Sequence, residues 1–125
     1  MANEKKKILL VDDDELHLTT AELFLQNEYE VYKTKSGKEA LEFLTNNKIV
    51  PNLILLDILM PNMDGWGVLI RLQAVDFLKC VPIVFLTTVK DESERERAYK
   101  MGIADYITKP FNRADLLIRV KNSIK

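Results

Sequence analysis

The chain has 125 residues, enough for one domain with a sizeable core and too few for two. Its 47% apolar and 30% charged fractions are those of an ordinary globular domain, and a net charge of −1 argues against a general nucleic-acid or membrane footprint. One cysteine, Cys80, excludes a disulfide framework or a cysteine metal site, and no apolar run approaches the roughly 20 residues that span a bilayer.

The elements alternate along the chain. Lys5-Lys6-Lys7 reads as a solvated lead-in to a first strand over about Lys7 to Val11. A helix from about Asp14 to Asn27 follows, opened by a carboxylate cluster that suits a helix N-terminus. A second strand covers about Glu30 to Thr34. Ser36-Gly37 leads into a second helix with Ala40, Leu41 and Leu44 spaced for one buried face. Pro51-Asn52 breaks the chain before the apolar run Leu53 to Leu56. The loop Met60-Pro61-Asn62-Met63-Asp64-Gly65 precedes a third helix carrying Leu69, Ile70 and Leu72. Pro82 opens the fourth strand, Ile83 to Leu86.

The fourth helix, about Glu92 to Met101, is densely charged, with Asp91/Arg95 and Glu96/Lys100 spaced as i,i+4 pairs. Gly102 is placed to cap it. A short fifth strand, Asp105 to Thr108, leads to a helix capped by Asn112, with Asp115 three residues on in a capping-box-like arrangement. Strands that read as continuous apolar runs are those covered on both faces, so the alternation predicts a doubly wound α/β/α sandwich on a five-stranded parallel sheet.

Four apolar runs end in reactive residues: Val11 in Asp12-Asp13-Asp14, Leu56 in Asp57, Leu86 in Thr87-Thr88, and Ile107-Thr108 in Lys109-Pro110. In a parallel sheet these endings share the carboxyl edge, where open α/β folds build their sites. Asp12, Asp13 and Asp57 together carry −3, which Lys109 reduces to −2. Two unit charges 4 Å apart repel by about 4 kcal/mol at an effective dielectric near 20, so such a cluster calls for protons or a cation. Oxygen donors select a hard ion, and few carboxylates plus water suit Mg²⁺. Asp57, ending the central strand, is the best nucleophile for phosphorus, with Lys109 and the Thr87 hydroxyl placed to meet phosphoryl oxygens.

Val11-Asp12-Asp13, the Asp57-x-x-Met60-Pro61-x-Met63-Asp64-Gly65 loop, Leu86-Thr87 and Lys109-Pro110-Phe111 resemble, in order and spacing, the signature of the response-regulator receiver domain of two-component signalling. The resemblance spans essentially the whole chain. It implies a flavodoxin-like strand order 2-1-3-4-5 and one receiver domain over 1–125 with no effector domain. Asp57 would be the phosphorylation site, fed by a histidine kinase or histidine phosphotransfer protein. Asp12, Asp13, Asp57 and the Leu59 backbone carbonyl would hold Mg²⁺, with Mn²⁺ as a substitute. Thr87 and Lys109 would contact the phosphoryl group. Tyr106 would be an aromatic switch that turns inward as Thr87 moves. The Lys109-Pro110 bond would be cis.

The family's outputs run through protein contacts, here expected on the face of the fourth helix, fifth strand and fifth helix, in a monomer or a phosphorylation-linked dimer. No nucleic-acid contact or membrane insertion is expected. The role is a switch with self-phosphorylation and autodephosphorylation rather than an enzyme on external substrates.

The residues following Met1 lack a signal-peptide core, and the expected location is the reducing cytoplasm, with Cys80 buried or idle. Leu59 and Val89, two beyond Asp57 and Thr87, are apolar and are expected to hinder an attacking water and prolong the phosphorylated state. Asp12-x-Asp14 also resembles the haloacid-dehalogenase phosphatase motif, but Asp57 and Lys109 then lack their places. His17, the only histidine, is assigned a structural or surface role, and Trp66 partial burial. Leu16, Leu18, Leu23, Phe24 and Leu25 make the first helix apolar over more than one face.

Overall fold

The computed structural model describes residues 4–124. Met1 to Asn3, part of the stretch expected to lack a signal-peptide core, lie outside it, as does Lys125. Among the described residues ten elements alternate: β1 (Lys6–Val11), α1 (Glu15–Leu25), β2 (Tyr29–Thr34), α2 (Gly37–Asn47), β3 (Leu53–Leu56), α3 (Gly65–Ala74), β4 (Ile83–Thr87), α4 (Glu92–Lys100), β5 (Asp105–Thr108) and α5 (Arg113–Ser123). The five strands form one sheet in the order β2-β1-β3-β4-β5, every pairing parallel. This is the predicted flavodoxin-like arrangement. Among the described residues no helix is long and apolar enough to cross a membrane.

Strand side chains alternate between the two faces of the sheet. Ile8 and Leu10 of β1, Leu53 and Leu55 of β3, Val84 and Leu86 of β4 and Ile107 of β5 pack with Leu18, Ala21 and Leu25 of α1 and Leu116 and Val120 of α5. The intervening residues Leu9, Val11, Ile54, Leu56, Ile83 and Phe85 pack with Ala40 and Leu44 of α2, Leu69 and Leu72 of α3 and Ala98 of α4. β1, β3 and β4 therefore bury both faces, which is why they lack polar alternation. Leu44, with no exposed surface, anchors α2. Leu44→Ala would cost about 2–5 kcal/mol through lost burial and the cavity left behind.

Helix starts follow capping chemistry. Asp14, Ser36, Asp64, Asp91 and Asn112 each accept hydrogen bonds from backbone N–H groups of the first turn. At α5 only half of the expected capping box forms: Asn112 Oδ1 accepts from the Asp115 N–H at 2.7 Å, while the Asp115 carboxylate lies 3.5 Å from Arg119 Nε. Gly102, at φ +92°, takes the left-handed position after α4.

Three expectations are corrected. α1 ends at Leu25, because the chain must turn to bring Tyr29 into register with Lys6. Cys80 is exposed. The Asp91/Arg95 pairing is replaced: the Asp91 carboxylate accepts from Ser93 N–H and hydroxyl, and the Arg95 guanidinium lies 5.7 Å from the Tyr106 ring centroid. A buried aromatic face offers the guanidinium more than a solvated carboxylate does. Of the α1 leucines, Leu18 and Leu25 are buried while Leu16 and Leu23 face outward.

Candidate functional site

Alternation decides which strand endings meet. Continuing from Ile8 and Leu10, Asp12 falls on the α1/α5 face; Asp57 follows Leu53 and Leu55 there, and Lys109 follows Ile107. The backbone ladder runs one residue past each strand. Asp12 N–H donates to the Thr34 carbonyl (3.1 Å), Asp57 N–H to Val11 (2.9 Å) and Lys109 N–H to Thr87 (2.8 Å). Extended geometry is kept, and the three side chains converge in a buried cluster. Lys109 Nζ donates to Asp12 Oδ2 at 2.5 Å and to Asp57 Oδ2 at 3.2 Å. The other Asp57 oxygen, Oδ1, accepts from the Leu59 N–H at 3.3 Å. The Lys109-Pro110 peptide is cis, as expected.

The cluster is electrostatically unfinished. Two buried carboxylates face one ammonium. Burial pushes the Asp12 carboxyl above its ordinary range and outweighs the pull of the Lys109 hydrogen bond, the Asp14 N–H and the Lys109 charge; the neighbouring Asp57 charge adds to the rise. Ligand atoms of Asp12, Asp57 and His17 all lie within 4.8 Å of one another. Oxygen donors with surplus negative charge fit a hard divalent cation. Asp13 is exposed, next in sequence to the cluster, and Leu59 is 58% exposed.

His17 is the residue that sequence reasoning missed. Its Nδ1 lies 2.7 Å from Lys109 Nζ and 3.6 Å from Asp12 Oδ2. It belongs to the site rather than to the surface. The available signal was local: Asp14 caps α1, so His17 sits in the first turn directly above the end of β1, and its N–H donates to Asp14 Oδ1 at 3.2 Å. The Asp14 carboxylate is committed to that cap, which removes the second aspartate a phosphatase reading of Asp12-x-Asp14 requires.

Thr87 and Tyr106 lie on the opposite face. Thr87 follows Ile83 and Phe85 and is fully buried, its Oγ1 accepting from the Val89 N–H at 3.3 Å. The Tyr106 ring is already inward, buried against Phe85, with its hydroxyl donating to the Val89 carbonyl at 2.8 Å. Thr88 is exposed and lines, with Leu16, His17, Thr20, Lys109 and Phe111, an apolar groove of about 320 Å³ beside the cluster.

On the far side of Asp57 the backbone is closely packed. Gly65 N–H donates to the Ile58 carbonyl at 2.8 Å, and a Cβ on Gly65 would lie 2.5 Å from the Asp57 carbonyl oxygen. Trp66 is buried against Phe85, with the Arg97 guanidinium 4.0 Å from its ring centroid.

Residues 8–121 match the family model of the response regulator receiver domain. The transcriptional regulatory protein CrdR of Helicobacter pylori is 36% identical over 118 residues, covering 94% of this chain and 54% of that protein. The chain spans about half the length of the curated relatives it matches. Among solved structures, chemotaxis protein CheY4 of Vibrio cholerae superposes with a TM-score of 0.88 at 28% identity, over 96% of this chain and 99% of the other. The Mn²⁺-bound form of response regulator Rcp1 gives a TM-score of 0.79 at 33% identity, over 93% and 89%. With the strand order and the carboxylate–lysine edge already in place, these similarities make the chain a member of the response regulator receiver domain family of two-component signalling.

Proposed function

We propose that this chain is the phosphoacceptor of a two-component phosphorelay, with Asp57 taking a phosphoryl group from a phosphohistidine donor. The observation that carries the proposal is the Asp57 carboxylate itself: buried at the end of the central strand, one oxygen facing the Lys109 ammonium and the other a backbone N–H. A carboxylate oxygen attacks phosphorus, the donor's P–N bond breaks, a P–O bond forms, and the imidazole leaves carrying a proton. Lys109 supplies positive charge to the phosphoryl oxygens, and the Thr87 hydroxyl supplies a hydrogen bond.

Asp12, Asp13, Asp57 and the Leu59 carbonyl are the proposed ligands of Mg²⁺, with Mn²⁺ as substitute; the Mn²⁺-bound receiver Rcp1 supports the metal class. When bound, the cation would neutralise charge on the phosphoryl oxygens. Phosphorylation places about −2 where −1 stood and biases a two-state element rather than building a new fold. That element is proposed to be α4-β5-α5, because Tyr106 lies there and Val89, which it holds, lies just before α4. The partners are a histidine kinase or histidine phosphotransfer protein and a protein target on that face. The setting is the cytoplasm, and the chain is a monomer or a phosphorylation-linked dimer. The chain's own chemistry is limited to self-phosphorylation and autodephosphorylation.

Incubation with acetyl phosphate and Mg²⁺, followed by intact-mass measurement, tests the proposal. One hydroxylamine-labile phosphoryl group is expected in the wild type and none in Asp57→Asn. An unmodified wild type, or a modified Asp57→Asn, would overturn it.

A further inference from the structure

An ammonium has three N–H donors and no lone pair. In this structure all three have acceptors: Lys109 Nζ meets Asp12 Oδ2 at 2.5 Å, His17 Nδ1 at 2.7 Å and Asp57 Oδ2 at 3.2 Å. His17 must therefore accept at Nδ1, which puts its ring proton on Nε2, 3.9 Å from Asp14 Oδ2. Two of the three acceptors are buried carboxylates; the third is an imidazole side chain 37% exposed.

We infer that His17 is a positioning residue for Lys109, holding the ammonium by its third hydrogen bond and surrendering that bond to a phosphoryl oxygen. This rests on the phosphoacceptor reading of Asp57 and assigns a role that the family signature does not contain. The exchange follows from donor count and charge. A phosphoryl oxygen can be met only if one of the three bonds is released. The ammonium's charge assists all three bonds, but Asp12 adds a full negative charge of its own and the imidazole none, and Asp57 is the residue to which the phosphoryl group is attached, so the imidazole is the acceptor given up. Asp12, at the shortest distance, still fixes the ammonium after the exchange. His17 and Lys109 both line the apolar groove and neither carboxylate does, so the bond that breaks lies on the side open to an incoming donor.

The histidine's solitude makes the test clean: in a uniformly ¹⁵N-labelled chain its two ring nitrogens are the only such pair. Two-bond ¹H–¹⁵N correlation is expected to show the Nε2–H tautomer with Nδ1 shifted as a hydrogen-bond acceptor. Lys109→Met should move Nδ1 toward the free-acceptor position. Mg²⁺ with beryllofluoride should do the same in the wild type, while Mg²⁺ alone should not. His17→Leu should bind beryllofluoride about tenfold tighter or more, the equivalent of one hydrogen bond from a charged donor no longer broken, and His17→Gln, whose amide oxygen can accept, should return the affinity toward wild type.

An Nδ1 resonance indifferent to Lys109→Met overturns the inference. So does one that responds to Mg²⁺ alone, which would make His17 a metal ligand, or a His17→Leu affinity equal to or weaker than wild type. Fluorine resonances of beryllofluoride bound at Asp57 separate the two levels. If they appear without any movement of His17, only the inference falls; if they never appear, the phosphoacceptor reading falls and the inference with it.

Discussion

Thr87 and Tyr106 are joined through the backbone of Val89: its N–H donates to Thr87 Oγ1 at 3.3 Å and its carbonyl accepts from the Tyr106 hydroxyl at 2.8 Å. The two side chains come from β4 and β5, and Val89 lies in the segment between β4 and α4. A shift of the Thr87 hydroxyl must move Val89, and Val89 carries the Tyr106 acceptor with it. The Tyr106 ring in turn packs edge-on against Phe85, which packs against Trp66.

This linkage predicts non-additivity. Tyr106→Phe removes one partly buried hydrogen bond and should cost about 1 kcal/mol in urea unfolding, as should Thr87→Val. Because both bonds hold the same residue, the double variant should depart from the sum by about 0.5 kcal/mol or more. Strict additivity would mean that Val89 does not connect them.

Two glycines should fail for different reasons. In Gly65→Ala the new Cβ meets the Asp57 carbonyl oxygen at 2.5 Å and Ile58 Cα at 2.7 Å, both backbone atoms that cannot step aside. The expected loss is about 1–3 kcal/mol, together with weaker Mg²⁺ binding because the Asp57 backbone is pushed. Gly102→Ala has open space, its nearest neighbour 4.0 Å away, but forces an L residue to φ +92°. Its loss should be about 1 kcal/mol and leave Mg²⁺ binding intact. Calorimetric titration of both variants distinguishes the cases; equal metal affinities would refute the role given to Gly65.

The strands and their polar endings were legible because a strand buried on both faces leaves an unbroken apolar run, and a change to Asp, Thr or Lys marks where burial ends. Period-two alternation then separated Asp12, Asp57 and Lys109 from Thr87, although the sequence reading grouped all four around one pocket. His17 was not legible, because helical periodicity gives a face relative to the helix axis and not the overhang of the first turn above a neighbouring strand. Arg95 was misread for a related reason. Local spacing offered Asp91, while the partner it takes, Tyr106, is on β5 and comes near only when the sheet assembles.

Metal binding should be steeply pH-dependent. The folded Asp12 carboxyl holds its proton to higher pH than in the unfolded chain, mainly because it is buried. Between those two values the folded state binds more protons. By linkage, the stability of the metal-free protein therefore falls as pH rises through the window. Mg²⁺ takes the ionised form and reverses the cost. A hundredfold excess over its dissociation constant should add about 2.7 kcal/mol near neutrality, and the gain should shrink as protons compete toward the carboxylate range. Thermal midpoints with and without Mg²⁺, followed from about pH 8 to about pH 5, read this directly. A Mg²⁺ increment that is flat or grows toward acid would contradict it.

Removing the Lys109 ammonium should separate its two roles. Lys109→Met leaves the buried Asp12 and Asp57 carboxylates without their shared cation, and breaking a buried pair in this way costs about 3–5 kcal/mol in the metal-free protein. The same change deletes the positive charge that competes with a divalent ion for those oxygens. At an effective dielectric near 20 that competition is worth several kcal/mol at contact distances, so Mg²⁺ should bind about tenfold tighter or more. Phosphorylation should nevertheless be lost, because the charge that meets the phosphoryl oxygens is gone. Trp66, the only tryptophan, reports the binding. It follows Gly65, whose N–H is tied to the Ile58 carbonyl next to Asp57, so its fluorescence should titrate with Mg²⁺. Tighter Mg²⁺ binding with no phosphorylation would assign Lys109 to the phosphoryl group. Weaker Mg²⁺ binding would mean that the lysine chiefly holds Asp12 and Asp57 in place for the metal.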